Sequence, residues 1–124
     1  MSSKIYNQFM KKPDDKQRLE HIIEAVEKIQ TYVQEINKAE FLNDEKTTFA
    51  VNWQLAIIGE SVANLTDTLR KNNPQVIWHK ISGTRNHLIH GYFTIDFEIV
   101  WATIQNDLPQ LKIEIEKILE ELNK

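Results

Sequence analysis

The run Arg85-Asn86-His87-Leu88-Ile89-His90-Gly91-Tyr92 places a permanent cation, titratable imidazoles and a phenol within eight residues. A guanidinium stays charged at any physiological pH, and an imidazole with a pKa near ~6.5 can take or give a proton close to neutrality. Together they suit proton transfer beside an anionic group. The surrounding charge points the same way. Between Asp67 and Asp96 there is no acidic residue, while Arg70, Lys71, Lys80 and Arg85 lie there with His79, His87 and His90. The chain has 15 Lys and Arg against 18 Asp and Glu, so this island of +4 sits in a remainder of −7. Such separation favours an anionic ligand at one place.

Read as a regular helix from about Gln75 to His90, with Ile81 as zero at 100° per residue, the segment puts Leu88 near about −20°, Arg85 near about +40° and Trp78 near about +60°. Arg85 then falls inside the apolar stripe, where an unpaired guanidinium is costly. Two readings stay open: an internal ion pair, with Glu60 of Gly59-Glu60-Ser61 as partner, or an anion binder. On the opposite side His79, Gly83, Asn86 and His90 form one polar line. It is either a solvated face or, because a mid-helix glycine costs about 1 kcal/mol against alanine, a place where a second subunit or a substrate backbone comes close. Arg85 and His90 lie about 140° apart, so one straight helix does not make a compact pair of them.

Several chemistries lack their machinery. There is no cysteine, which removes disulfides, thiolate metal sites and a cysteine nucleophile and is compatible with a reducing cytosol. His87 and His90 have no carboxylate or HExxH context to complete a metal site, so none is expected. P-loop, dinucleotide and nucleophile-elbow patterns are missing. Trp53, Trp78 and Trp101 are read as core fillers rather than base-stacking platforms. The Glu and Lys alternation from Lys112 to Lys124 is read as a solvated helix face. The first residues lack the apolar core of a signal peptide and no window is apolar enough to span a bilayer, so the expectation is a soluble cytoplasmic protein without membrane contact.

The elements that must position these residues are helical. At 124 residues, with 41% hydrophobic content and only three Gly and three Pro, the chain suits one domain over 1–124, with 1–12 as a flexible or loosely packed extension. Pro13-Asp14-Asp15 marks a helix start, and Leu19, Ile22, Ile23, Val26, Ile29, Val33 and Ile36 trace one buried stripe ending near Asn37. After a short connection with Phe41 and Leu42, Asn43 or Asp44 caps a second helix running to about Lys71. It is apolar around much of its circumference. The third segment stops at Gly91, with Ser82-Gly83 as a possible interruption. A fourth begins at Asp96, and Pro109 either kinks it or starts a new helix. The expectation is an all-α, up-and-down bundle of four to five helices joined by short connections.

The motif run resembles the signature of HEPN domains, in the branch of HepT-like toxins: Arg, a polar residue, three intervening residues, His, any residue, Tyr. The likeness continues through Leu19 to Ile29, Gly59-Glu60-Ser61, Pro74 with Trp78, Gly83, Thr94-Ile95-Asp96 with Ile99-Val100-Trp101, and Asp107-Leu108-Pro109. It covers about residues 14 to 122. The resemblance implies a dimerising helical bundle in which the Arg and His motifs of two chains meet in a cleft that cleaves RNA without metal or cofactor. It gives Arg85 phosphate stabilisation, His90 proton transfer and Asn86 the orienting of phosphate or histidine. Glu60, His79, Lys80 and His87 are supporting or RNA-binding candidates. It also implies an MNT-type nucleotidyltransferase antitoxin that adds AMP to Tyr92, with room for a larger hetero-oligomer of toxin and antitoxin. The alternatives are a non-catalytic substrate-binding or scaffold subunit of a nucleotidyltransferase complex, and a bare structural helical dimer.

Overall fold

The computed structural model describes residues 12–84 and 94–124. The run from Arg85 to Tyr92, and all but the last residue of the expected N-terminal extension, lie outside the described residues. Seven helices are present among those described, and they bear out the all-α expectation with finer subdivision.

Helix α1 (Asp15–Val33) starts where the sequence places it. The Asp14 carboxylate accepts from the Gln17 amide at 2.8 Å, and the Gln17 side chain accepts from the Asp14 amide at 3.0 Å. This reciprocal box satisfies two of the amides that a helix start leaves without partners. Leu19, Ile22, Ala25, Val26, Ile29 and Val33 form the buried stripe. At roughly 1.5–3 kcal/mol for each fully buried aliphatic side chain, this face, rather than helix propensity, holds α1 in place.

The segment read as a connection is itself helical. Helix α2 (Lys38–Asn43) begins with a second capping box, Glu40 amide to Asn37 Oδ1 at 2.9 Å and Asn37 amide to Glu40 Oε1 at 3.1 Å. That box ends α1 at Val33 instead of near Asn37. It also delivers Phe41, fully buried, against the rings of Phe97 at 6.4 Å and Trp101 at 5.2 Å.

Helix α3 (Glu45–Ala63) is capped by Asp44, whose carboxylate accepts from the Thr47 amide at 3.1 Å and the Thr47 hydroxyl at 2.7 Å. Those bonds, hydroxyl first, hold the Asp44 carboxyl below its usual pKa. Val51, Leu55, Ile58 and Val62 carry α3 into the core beside α1. The helix does not continue to Lys71. Asn64 folds its amide back onto the Glu60 carbonyl at 2.8 Å. Thr66 then leaves helical geometry and caps α4 (Asp67–Asn72), while Asp15 accepts from the Thr66 amide at 3.0 Å and its hydroxyl at 2.6 Å. A carboxylate 51 positions away thus fixes the break.

Helix α5 (Trp78–Ser82) begins three residues later than the pattern predicts. The Trp78 indole N–H is shared between the carbonyls of Asn73 at 3.0 Å and Arg70 at 3.2 Å, wrapping residues 73–77 into a turn around it. Asp96 caps α6 (Phe97–Asn106), as predicted, and Pro109 opens a new helix, α7 (Leu108–Leu122). α7 returns along α1 and closes the core with Leu111, Ile115 and Ile118. The expected burial of Trp53 also fails: it is 56% exposed on α3, because the inner side of that helix is already filled by its aliphatic residues. Trp78 is buried and Trp101 half-buried against the core. No helix among the described residues is long and apolar enough to cross a membrane.

Candidate functional site

Arg85, Asn86, His87, His90 and Tyr92 fall in the stretch 85–93, outside the described residues. The structure defines the frame that carries that stretch. Both ends are pinned. On the leading side, Gly83 and Thr84 follow α5 in a tight 3₁₀ turn. The Thr84 hydroxyl lies 2.8 Å from the Leu55 carbonyl of α3 and 2.8 Å from the Ile81 carbonyl, so the residue before Arg85 is tied to one of the two longest helices. On the trailing side, Asp96 accepts from the amides of Glu98 at 3.0 Å and Ile99 at 3.4 Å. Ile95 and Phe97 pack against the core beside it.

Of the supporting candidates, His79 and Lys80 are exposed on α5. Lys80 borders a groove of about 390 Å³ whose floor includes Leu55, Ile58, Ile81 and Leu111. Asp107 and Glu114 border the same groove. Arg70 is paired with Asp67 at the edge of the positive island. The described part of the island therefore presents Lys71 and Lys80 as its exposed, unpaired cations. Glu60 is exposed, and its Oε1 accepts from the Asn64 side-chain amide at 2.8 Å. Any pair it makes with Arg85 involves a residue that is not described. A Cβ built on Gly83 would meet nothing within 4 Å, so the close approach considered for that glycine is not made within this chain by described residues. Among the described residues no three His, Asp or Glu side chains gather as a metal would need.

A family model described as "Ribonuclease HepT-like" matches residues 22–118, a span that contains the whole Arg85 to Tyr92 run and most of the helical frame. The chain belongs to the HepT-like ribonuclease family. A Thermococcus cleftensis protein named "Probable ribonuclease HepT" is 39% identical over 107 residues, covering 86% of this chain and 97% of that protein. A relative from Caldanaerobacter subterraneus subsp. tengcongensis, named "Putative RNase TTE0752", is 37% identical over 102 residues, 82% of this chain and 91% of its own length. "Putative RNase MJ1380" of Methanocaldococcus jannaschii is 36% identical over 107 residues, 86% and 98%. No solved structure matches the chain.

In this HepT-like frame, sequence reading missed Thr84. Its neighbour Arg85 attracts the argument, and nothing local says that a threonine hydroxyl will reach a carbonyl 29 positions earlier.

Proposed function

We propose that this chain is a metal-independent RNA endonuclease, the toxin of a bacterial or archaeal toxin–antitoxin pair, acting in the cytoplasm as a homodimer. The supporting observation is the family match across residues 22–118 with the complete set Arg85, Asn86, His90 and Tyr92 in place. Neutral His90 accepts the proton of a ribose 2′-hydroxyl as that oxygen attacks the adjacent phosphorus. Arg85 stabilises the charge that develops on the phosphate oxygens, and Asn86 orients the phosphate or the imidazole. The imidazole of a second copy returns a proton to the departing 5′-oxygen, so two-fold symmetry supplies a base and an acid from one gene product. Lys80 and His79, exposed on α5, and the lesser candidates His87 and Glu60 assist in holding the RNA strand or the motif.

Regulation follows from the phenol two positions beyond His90. AMP added to Tyr92 by an MNT-type nucleotidyltransferase antitoxin places a phosphate against Arg85 and bulk in the path of RNA. The deciding experiment incubates RNA with the purified protein, Arg85→Ala and His90→Ala in excess EDTA. Cleavage by the parent alone supports the enzyme; equal cutting by all three is contamination, and none by the parent returns the chain to a scaffold role. Mass spectrometry after coexpression with the transferase tests the modification, which is rejected by AMP elsewhere or nowhere.

A further inference from the structure

One buried side chain on α3 is unexplained by packing. Asn52 is 1% exposed, its amide nitrogen and carbonyl oxygen are both closed to solvent, and neither has a hydrogen-bond partner among the described residues. Most buried polar side-chain atoms in folded proteins are bonded, so an amide with both ends open calls for a reason. The core supplies none, because leucine has nearly the same shape without the desolvation of an amide.

The place of Asn52 on α3 does supply one. It lies one turn before Leu55 on the same stripe, about 4.5 Å along the axis and about 60° around it. The Leu55 carbonyl is where the Thr84 hydroxyl bonds, at 2.8 Å. Helix α5 reaches that point from the other end of α3. It starts at Trp78, whose indole bonds the carbonyls of Arg70 and Asn73 around α4, beyond the last residue of α3, Ala63. Thr84 is then bonded about 12 Å back from Ala63 along α3. Thus α5 runs antiparallel to α3, and its direction at Thr84 is toward Asn52. Arg85 is the next residue in the chain.

We infer that Asn52 is a positioning residue of the ribonuclease site proposed above: its amide bonds a polar group of the Arg85 to Tyr92 run when RNA is bound, and so fixes that group for the reaction. An amide suits the role. It offers a donor and an acceptor, so it can serve a guanidinium, either nitrogen of an imidazole or a backbone group. It also stays neutral, and so leaves the titration of a neighbouring histidine near its ordinary range. The fold bears the open amide while RNA is absent, as a position held for function rather than stability does.

This role rests on the ribonuclease reading, and two measurements separate them. The first sets stability against turnover. Asn52→Leu should resist denaturant at least as well as the parent and bind a 2′-O-methyl oligoribonucleotide, which lacks the attacking hydroxyl, with parental affinity. It should cleave RNA at least about tenfold more slowly in single turnover. A residue that only filled the core would move stability and cleavage in the same direction. The second measurement needs no cleavage. Asn52→Asp sets a carboxylate at the same point, and by proton NMR the imidazole of His87 or His90 should titrate about one pH unit or more higher than in the parent, while the exposed His21 and His79 stay unchanged. Asn52→Leu with parental cleavage, or slow only because it is less stable, overturns the positioning role and leaves the nuclease standing. Unchanged imidazoles in a folded Asn52→Asp overturn it too. A parent that cuts nothing while Asn52→Asp shifts a motif imidazole overturns the nuclease and keeps Asn52 beside the motif.

Discussion

Thr84→Val tests whether the frame positions the chemistry. The substitution keeps the shape and removes a hydroxyl placed 2.8 Å from both the Leu55 and Ile81 carbonyls. A neutral hydrogen bond contributes about 0.5–1.5 kcal/mol net, and the middle of that range applies to this half-buried one, because the Leu55 carbonyl keeps its own helical partner within α3. With about 2.1 cal/mol/K of unfolding entropy per residue, a loss of ~1 kcal/mol lowers Tm by about 4 °C for a chain of this size. Cleavage should fall by more than that stability loss explains at 25 °C. Arg85 is the next residue, and a displacement of ~1 Å at a positioned group can cost on the order of 100-fold. Expected values are a Tm drop of about 4 °C and at least about tenfold lower single-turnover cleavage, both recovered by Thr84→Ser. Thr84→Val with the smaller Tm but parental cleavage would show that this bond supports the fold and does not aim Arg85.

Phe41→Ala removes a fully buried ring from between Phe97 and Trp101 and should cost about 3–5 kcal/mol by denaturant unfolding; a cost under ~1 kcal/mol would mean α2 is not a structural plug. The depressed Asp44 pKa adds stability that is present above the unfolded carboxylate value near ~4 and is lost as pH falls through the lower folded value. Asp44→Asn keeps an acceptor without the titration, so its stability should fall less steeply on acidification, and an unchanged slope would remove Asp44 from the acid response. Asn52 is 1% exposed with both side-chain polar atoms lacking a hydrogen-bond partner among the described residues, so Asn52→Leu should stabilise by about 1–3 kcal/mol; destabilisation would show that the amide has a partner after all. Lys71, Lys80 and Arg85 from two chains could neutralise at most six phosphates, so the dependence of log binding on log salt for single-stranded RNA should be no steeper than about −4. A steeper slope would place binding beyond the island.

Local signals in the sequence marked several boundaries correctly. Asp14, Asp44 and Asp96 cap helices because a short carboxylate can reach amides two or three residues ahead, and that geometry is independent of the rest of the fold. Pro109 starts α7 for an equally local reason, since its missing N–H costs nothing in a first turn. Periodicity located the α1 stripe but failed on α3, where apolar residues surround the helix and the pattern cannot say which side faces outward. Read alone, the pattern puts Trp53 inside. Helix α2 gives no periodic signal although Asn37 and Glu40 spell its capping box, because six residues are too few to show a period.

The site divides along the same line. Arg85, His90 and Tyr92 could be singled out because their chemistry and spacing are written within one short run. What holds the residues on either side of that run is non-local: Thr84 to Leu55 across 29 positions, and Phe41 against Phe97 across a gap that spans three intervening helices. Such contacts depend on which helices become neighbours, and neighbours are chosen by the whole core. Residues that position a reactive group can therefore be as sensitive to substitution as those that react, while carrying no chemical signature of their own. Thr84 is the residue on which to test this: its hydroxyl carries no chemistry of its own, yet it joins the residue before the motif to the helix that also bears Trp53. Substitutions along the contact face of that helix should therefore reach the residue before the motif without touching any reactive group.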